Sequence, residues 1–174
     1  MAICSIDSGF DLTCLQNAGG VIEYYIGEFA EQTYTFDTDG VTIISSDAQT
    51  PSPLFKFDQT IGTAQFLQEG QFNAQNGVNA FTQNVNMVFN KMDEITLPIV
   101  DSLTTTRSMC VVKDKNGELW LTGSESGLFP SAGNGDTGTA LADRNGFTLT
   151  LTAEEKQAAR RIDPAALETI FAIS

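Results

Sequence analysis

The stretch AFTQNVNMVFNKM, Ala80–Met92, alternates apolar and polar side chains over most of its length. One face of this stretch presents the apolar side chains Phe81, Val85, Met87 and Phe89. The other face presents Thr82, Asn84, Asn86 and Asn90, interrupted by Val88. A period of two residues predicts a half-buried antiparallel strand. Its apolar face needs a second layer to cover it, which favours a sandwich or a barrel.

Strand and turn patterns before this stretch also indicate a β fold. Gly20–Phe29 is rich in β-branched and aromatic residues and predicts a strand. Gln32–Ser45 predicts a hairpin, because its Asp39-Gly40 pair is typical of a tight turn. We expect a polar loop at Ser45–Pro53, and then one or two strands within residues 54–73.

Two further patterns follow it. Ser108–Gly123 predicts a hairpin whose Asn116-Gly117 pair accepts positive φ at both central positions. Gly146–Glu155 predicts a strand, since apolar residues at odd positions alternate with threonines at even ones. Between Gly123 and Asn145 we expect a long loop, and such loops are usually functional or disordered.

One segment has helical spacing instead. Ile95, Ile99 and Leu103 recur every four residues, which predicts a helix at about 96–106, starting close to Pro98. Asp93 lies near the positive N-terminal end of that helix. Residues 164–173 predict either a short helix or a docked tail.

The predicted fold class is therefore mainly β: an antiparallel β-sandwich or barrel with one flanking α-helix (about 96–106) and extended terminal arms and loops. We expect a single domain, 1–174, with an N-terminal arm at 1–20 and a C-terminal tail at 156–174.

Charge narrows the possible partners. The chain of 174 residues has a net charge of −13, which disfavours tight binding to nucleic-acid phosphates. Residues 1–55 hold eight acids and no Lys or Arg: Asp7, Asp11, Glu23, Glu28, Glu31, Asp37, Asp39 and Asp47. That block is either a solvated face, a partner surface or a pore lining. The sequence shows no signal peptide and no membrane anchor, so we expect a soluble protein made in a cytoplasm.

Gly133, Gly135 and Gly138 form a G-x-G-x-x-G pattern, which in some proteins cradles a dinucleotide. That role needs a strand directly before the glycines and a helix directly after them. Pro130 argues against a central strand, and Asn145-Gly146 ends any following helix within about two turns. The pattern therefore predicts a flexible loop, and no cofactor-binding residue is assigned.

The sequence also predicts no metal-binding and no catalytic residues. The chain has no histidine, which excludes Ser–His and Cys–His nucleophiles and makes zinc or copper improbable. Asn134, Asp136 and Asp143 offer oxygens to calcium, but their spacing differs from that of an EF-hand loop. A pair of carboxylates brought together by folding stays possible. Cys4 and Cys14 are either free or paired.

Amide and hydroxyl side chains are concentrated around the decisive strand. Six Asn and two Gln occur between Phe72 and Asn90. On the second face of a strand they form an uncharged wet surface, which is either an ordinary solvent face, a subunit interface or a channel wall. A wall without cations offers DNA phosphates no partners, so the polymer slides.

The segment from Phe66 to Glu155 resembles the tail tube proteins of tailed phages that infect Bacteroidetes-like hosts. In that family a "v.D.nG.y.l.G...Gl" hairpin leads into a "tG....D.nGytltltgeE" strand. The positions of this chain that match are Asp114, Asn116, Gly117, Leu119, Leu121, Gly123, Gly127, Leu128, Gly138, Asp143, Asn145, Gly146, Thr148, Leu149 and Glu155.

The resemblance implies a non-enzymatic virion protein that forms stacked, hexameric rings around a DNA channel in the tail, assembled in the cytoplasm of a bacterial host. Its partners would be further copies of itself, other tail or neck proteins and, transiently, DNA. The Gly123–Asn145 loop would then contact the next ring. The alternatives are a neck, ring or tail-completion protein of the same virion, and a carbohydrate- or receptor-binding β-sandwich module.

Overall fold

The computed structural model describes residues 9–10 and 17–174. Within them the chain forms twelve strands and two helices. In chain order these are β1 Val21–Glu28, β2 Tyr34–Phe36, β3 Thr42–Ser46, β4 Ser52–Asp58, β5 Gln65–Asn73, β6 Val78–Phe89, α1 Thr96–Thr105, β7 Ser108–Asp114, β8 Leu119–Thr122, β9 Phe129–Asp136, β10 Gly146–Glu155, β11 Arg160–Ile162, α2 Leu167–Ile170 and β12 Phe171–Ile173.

The strands form two sheets. The larger has the order β12-β4-β1-β7-β8-β11-β3-β2, and the smaller has the order β5-β6-β10-β9. Neighbours pair antiparallel, except that β11 pairs with β3, and β12 with β4, in parallel. The mainly β fold with a flanking helix is confirmed, and so are the predicted strands at β1, β6 and β10 and the two predicted hairpins.

The main core lies between the two sheets. It is built from the inward side chains of β1 and β7 on one side and of β6 and β10 on the other, among them Tyr24, Ile26, Val85, Met87, Cys110, Val112, Leu149 and Leu151. The hydroxyl of the fully buried Tyr24 lies 2.9 Å from the carbonyl oxygen of Asn86 and 3.1 Å from that of Gln65. A buried hydroxyl needs such partners, so Tyr24 fixes β1 against the smaller sheet.

A second core covers the opposite face of the larger sheet. The segment predicted as a C-terminal tail is docked there through its strands and the short helix α2. Ile170 and Phe171 are buried, and the carbonyl of Ser174 accepts a hydrogen bond from the N–H of Lys56. Both alternatives offered for residues 164–173, a short helix and a docked tail, are therefore present.

The flanking helix α1 lies where the spacing predicted it. The Asp93 carboxylate accepts hydrogen bonds from the N–H groups of Thr96 (2.8 Å) and Ile95 (3.1 Å), which satisfies donors that have no partner inside the helix. These bonds hold the pKa of Asp93 well below its usual value. Pro98 is the third residue of the helix, where its missing N–H costs nothing.

Three local expectations were wrong. The 108–123 hairpin turns through Lys115, Asn116 and Gly117, with positive φ only at Gly117, because a three-residue loop needs the left-handed region once. The strand β4 begins at Ser52, inside the predicted polar loop. The 123–145 segment is not one long loop, because β9 lies within it and pairs with β10.

Candidate functional site: the polar face of the four-stranded sheet

The smaller sheet presents one face away from the core. We call this the polar face. Its centre is formed by Thr82, Asn84, Asn86 and Val88 of β6 and by Thr148, Thr150, Thr152 and Glu154 of β10. Its margins are formed by Gln65, Leu67, Glu69 and Gln71 of β5 and by Phe129, Ser131, Ala132 and Asn134 of β9. The polar residues of this set are amides and hydroxyls, apart from two glutamates.

Side-chain hydrogen bonds run across the polar face from strand to strand. Thr150 donates to Asn86 Oδ1 at 2.8 Å, and Thr152 donates to Asn84 Oδ1 at 2.7 Å. The hydroxyls of Ser131 and Thr152 lie 2.7 Å apart, which extends the network to β9. Cross-strand pairs of this kind stabilise a sheet and hold its side chains in one orientation. The result is a fixed, wettable surface whose hydrogen-bonded centre carries no charge.

Charge is confined to one row of the polar face. Glu69 and Glu154 lie in the same row, on either side of Thr82. The defined face contains no Lys or Arg. The acids of residues 1–55 that the structure describes lie elsewhere, on β1, on the connection after it and around the β2–β3 hairpin. Apart from the buried Glu23, the solvated-face alternative therefore suits them better than a pore lining on this sheet.

Both edges of the smaller sheet lack a paired strand among the described residues. β5 forms one edge and β9 the other, and they run in opposite directions because each of the three pairings between them is antiparallel. Pro130 lies on β9, in agreement with the confinement of proline to edge strands. Free edges of this length are templates for pairing with another chain.

The G-x-G-x-x-G pattern belongs to this edge. Gly133 and Gly135 are strand residues of β9, opposite Leu149 and Phe147, and Gly138 follows the strand with a φ of 66°. A Cβ at position 135 would lie only 2.7 Å from the Phe147 ring, so glycine fits there. The predicted flexible loop is thus corrected to an edge strand and a turn.

The three residues weighed as calcium ligands have other partners. Asp143 accepts hydrogen bonds from the N–H groups of Thr139 (2.8 Å) and Ala140 (2.7 Å), which closes the turn after β9 and lowers the pKa of Asp143. Asp136 forms an ion pair with Arg144 at 3.2 Å. Across residues 9–10 and 17–174, no three acidic or cysteine side chains converge as they would around a metal ion.

Glu23 is the most strongly engaged carboxylate of the larger sheet. Although only 5% exposed, it lies 2.7 Å from the Lys113 ammonium and 2.8 Å from that of Lys56, and Tyr25 donates a hydrogen bond of 2.6 Å to it. Burial alone would raise the pKa of Glu23, but these partners outweigh burial and lower it to about 2. Sequence reasoning missed this cluster, since Lys56 and Lys113 reach Glu23 only through strand pairing.

This cluster makes stability depend on pH in the acid range. Because folding lowers the pKa of Glu23 from 4.5 to about 2, its carboxylate stabilises the native state above pH 4.5, and this is lost as the pH falls through 2. The shift corresponds to roughly 3 kcal/mol. We expect urea titrations at pH 5 and pH 2 to show a loss larger by about that amount in the wild type than in Glu23→Gln. Equal losses in the two proteins would contradict the cluster.

Two other titratable groups, Glu155 and Cys110, are buried away from the polar face. Glu155 points into the protein and accepts hydrogen bonds from the N–H groups of Glu125 and Ser126, while burial raises its pKa. Cys110 is a free, fully buried thiol whose pKa burial also raises. Cys4 and Cys14 lie outside the described residues. None of the helices that the structure describes is long and apolar enough to cross a membrane.

No protein-family model matches this chain, and neither a curated protein nor a solved structure matches it significantly. A function for this chain is therefore inferred from the geometry of the polar face and of the two sheet edges beside it.

Proposed function

We propose that this chain is a non-enzymatic structural subunit of a phage tail tube, which self-assembles into stacked rings around a channel for DNA. The observation that carries the proposal is the four-stranded sheet. It combines an outer face of hydrogen-bonded amides and hydroxyls, whose charged members are two glutamates, with two edges that no other described strand pairs. In this role the subunit belongs to the virion tail, is assembled in the cytoplasm of a bacterial host, and contacts further copies of itself and other tail or neck proteins.

The direction of the edge strands favours ring closure. Since β5 and β9 run in opposite directions, β9 of one copy lies antiparallel to β5 of the next when copies are related by rotation. Every added copy continues the same antiparallel alternation, so the sheet can close after any number of copies. A head-to-tail contact of this kind makes a ring when its rotation closes, and closure leaves no free edge.

The polar face suits the inside of such a ring. DNA phosphates are held by Lys and Arg, and the defined face contains neither. Its threonines and asparagines satisfy one another laterally, which leaves fewer donors free to grip the polymer. The two glutamates repel phosphates. A neck or tail-completion ring would use the same edges and is distinguished by whether rings stack into long tubes.

Charge reversal on the polar face tests this role. We expect Glu69→Lys/Glu154→Lys to form rings that retain short duplex DNA at least tenfold more than wild-type rings, with retention that falls as salt rises. The matched control is Glu31→Lys/Glu94→Lys, two exposed acids outside the polar face with the same change in charge.

Electron microscopy first establishes that each protein forms rings, and co-sedimentation with DNA then measures retention. Equal retention by the two double variants would place the polar face outside the channel. A wild-type protein that stays monomeric at high concentration and binds a glycan would instead favour the carbohydrate-binding alternative.

A further inference from the structure

Two uncovered apolar features lie at opposite edges of the smaller sheet. The first is on the β5–β6 hairpin, where Phe72 is 70% exposed and packs edge-to-face on Phe81, with 5.6 Å between ring centroids. Both rings point to the same side of the sheet as the core residue Val85. They lie beyond the end of the core, so nothing in the described part of the chain covers Phe72. We call Phe72 and Phe81 the aromatic knob.

The second feature is concave. A groove of about 520 Å³ runs between α1 and the β1–β4 pair, and its lining is mostly apolar. Phe55 and Phe57 of β4 form one wall, and Ile99 and Leu103 of α1 form the other. Phe55 remains 55% exposed. The helix packs against β9, so this groove belongs to the edge opposite the aromatic knob.

The knob and the groove cannot meet within one molecule, because β6 and β10 separate the two edges. They can meet between molecules. We propose that the aromatic knob of one copy inserts into the α1–β4 groove of the next copy. Such a contact joins two different surfaces of identical chains, which is the arrangement that closes into rings. An aromatic side chain in an apolar pocket is also the usual anchor of a protein interface.

Charge favours a second copy as the occupant. Copies with a net charge of −13 repel one another, yet residues 70–81, which make up the far part of the hairpin, contain no charged residue. The groove holds charges of both signs, Glu28 and Lys56, so it does not add to the repulsion. This inference rests on the proposed ring, in which β5 of one copy lies beside β9 of the next and so brings the knob to the side where α1 lies.

Disulfide trapping tests the contact. In a background where Cys4 and Cys14 are serine, Phe72→Cys is combined with Ser102→Cys, which lines the groove. Mild oxidation of assembled protein is expected to give covalent multimers that reduction converts to monomer. The control pair is Phe72→Cys with Thr104→Cys, since Thr104 is exposed on α1 outside the groove, and this pair should stay monomeric.

Phe72→Ala gives a second readout. Because Phe72 is mostly exposed in the single chain, its thermal unfolding should change little, while the association constant should fall at least tenfold. Rings that form with unchanged affinity, without the Phe72–Ser102 crosslink, would overturn the inference and leave the ring itself standing. Wild-type protein that forms no rings would instead remove the proposed function.

Discussion

A single proline on the outer edge of β9 is expected to abolish ring assembly without unfolding the subunit. Successive residues of a strand point their N–H groups to opposite sides. One of Ala132 and Gly133 therefore donates to β10, and the other points to the free edge. Proline at the edge-facing position removes one donor from the proposed contact with the next copy and places a ring in its way. A carbonyl left without its partner costs up to about 3 kcal/mol at each contact, so the association constant falls by up to about 100-fold.

Proline at each of the two neighbouring positions serves as the control for proline at the other, because only one of the two N–H groups faces the free edge. Of Ala132→Pro and Gly133→Pro, one should unfold at the wild-type temperature and fail to assemble. The other loses a hydrogen bond to β10 and should be destabilised by about 1–3 kcal/mol. Thermal unfolding and analytical ultracentrifugation distinguish them. If both variants fold and assemble like the wild type, β9 is not an interface strand.

Gly146→Ala is expected to cause the largest loss of stability of any single methyl group added to the smaller sheet. Gly146 is buried at the start of β10, and a Cβ there would overlap the carbonyl oxygen of Phe89. Backbone atoms cannot move aside as the end of a side chain can, so the β6–β10 pairing must shift. We expect a loss of about 3 kcal/mol, which lowers Tm by roughly 10 °C in a domain of this size.

Gly133→Ala is the matched control on the neighbouring strand. A Cβ at Gly133 meets Leu149 Cδ1 at 3.6 Å, an ordinary van der Waals contact, and neither glycine has a positive φ. We expect this variant to unfold within about 1 kcal/mol of the wild type, because the added methyl group also restricts the unfolded chain. A loss as large as that of Gly146→Ala would mean that the clash with Phe89 is not the cause.

The sequence predicted those elements whose signal is local. Alternation placed β6 and β10, because an apolar face covered by a second sheet repeats every second residue. A spacing of four residues placed α1, and Asp93 lies at its N-terminal end as expected. The polar face was also foreseen in part, since Asn84 and Asn86 alternate with Val85 and Met87 along one strand.

What escaped sequence reasoning depends on pairing between distant strands. β9, which reads FPSAGNGD, contains four residue types that are depleted in strands, Pro, Gly, Asn and Asp, and it is ordered by its long register with β10. Glycine is tolerated there because Leu149 and Phe147 occupy the space beside Gly133 and Gly135. The free edges of the smaller sheet, the Glu23 cluster and the position of the aromatic knob likewise follow from strand order, which no local pattern encodes.

A crosslink between the two sheet edges tests whether β9 of one copy pairs with β5 of the next. In the background without Cys4 and Cys14, Ala132→Cys on β9 is combined in turn with Gln65→Cys, Leu67→Cys and Glu69→Cys, all on the β5 margin of the polar face. Directly opposite Cβ atoms of paired strands lie about 4.5–5.5 Å apart, close enough for a disulfide after small adjustments.

We expect at least one of these pairs, oxidised after assembly, to give a ladder of covalent multimers that ends at the size of one closed ring. Assembled protein in which none of the three pairs crosslinks would contradict the pairing of β5 with β9.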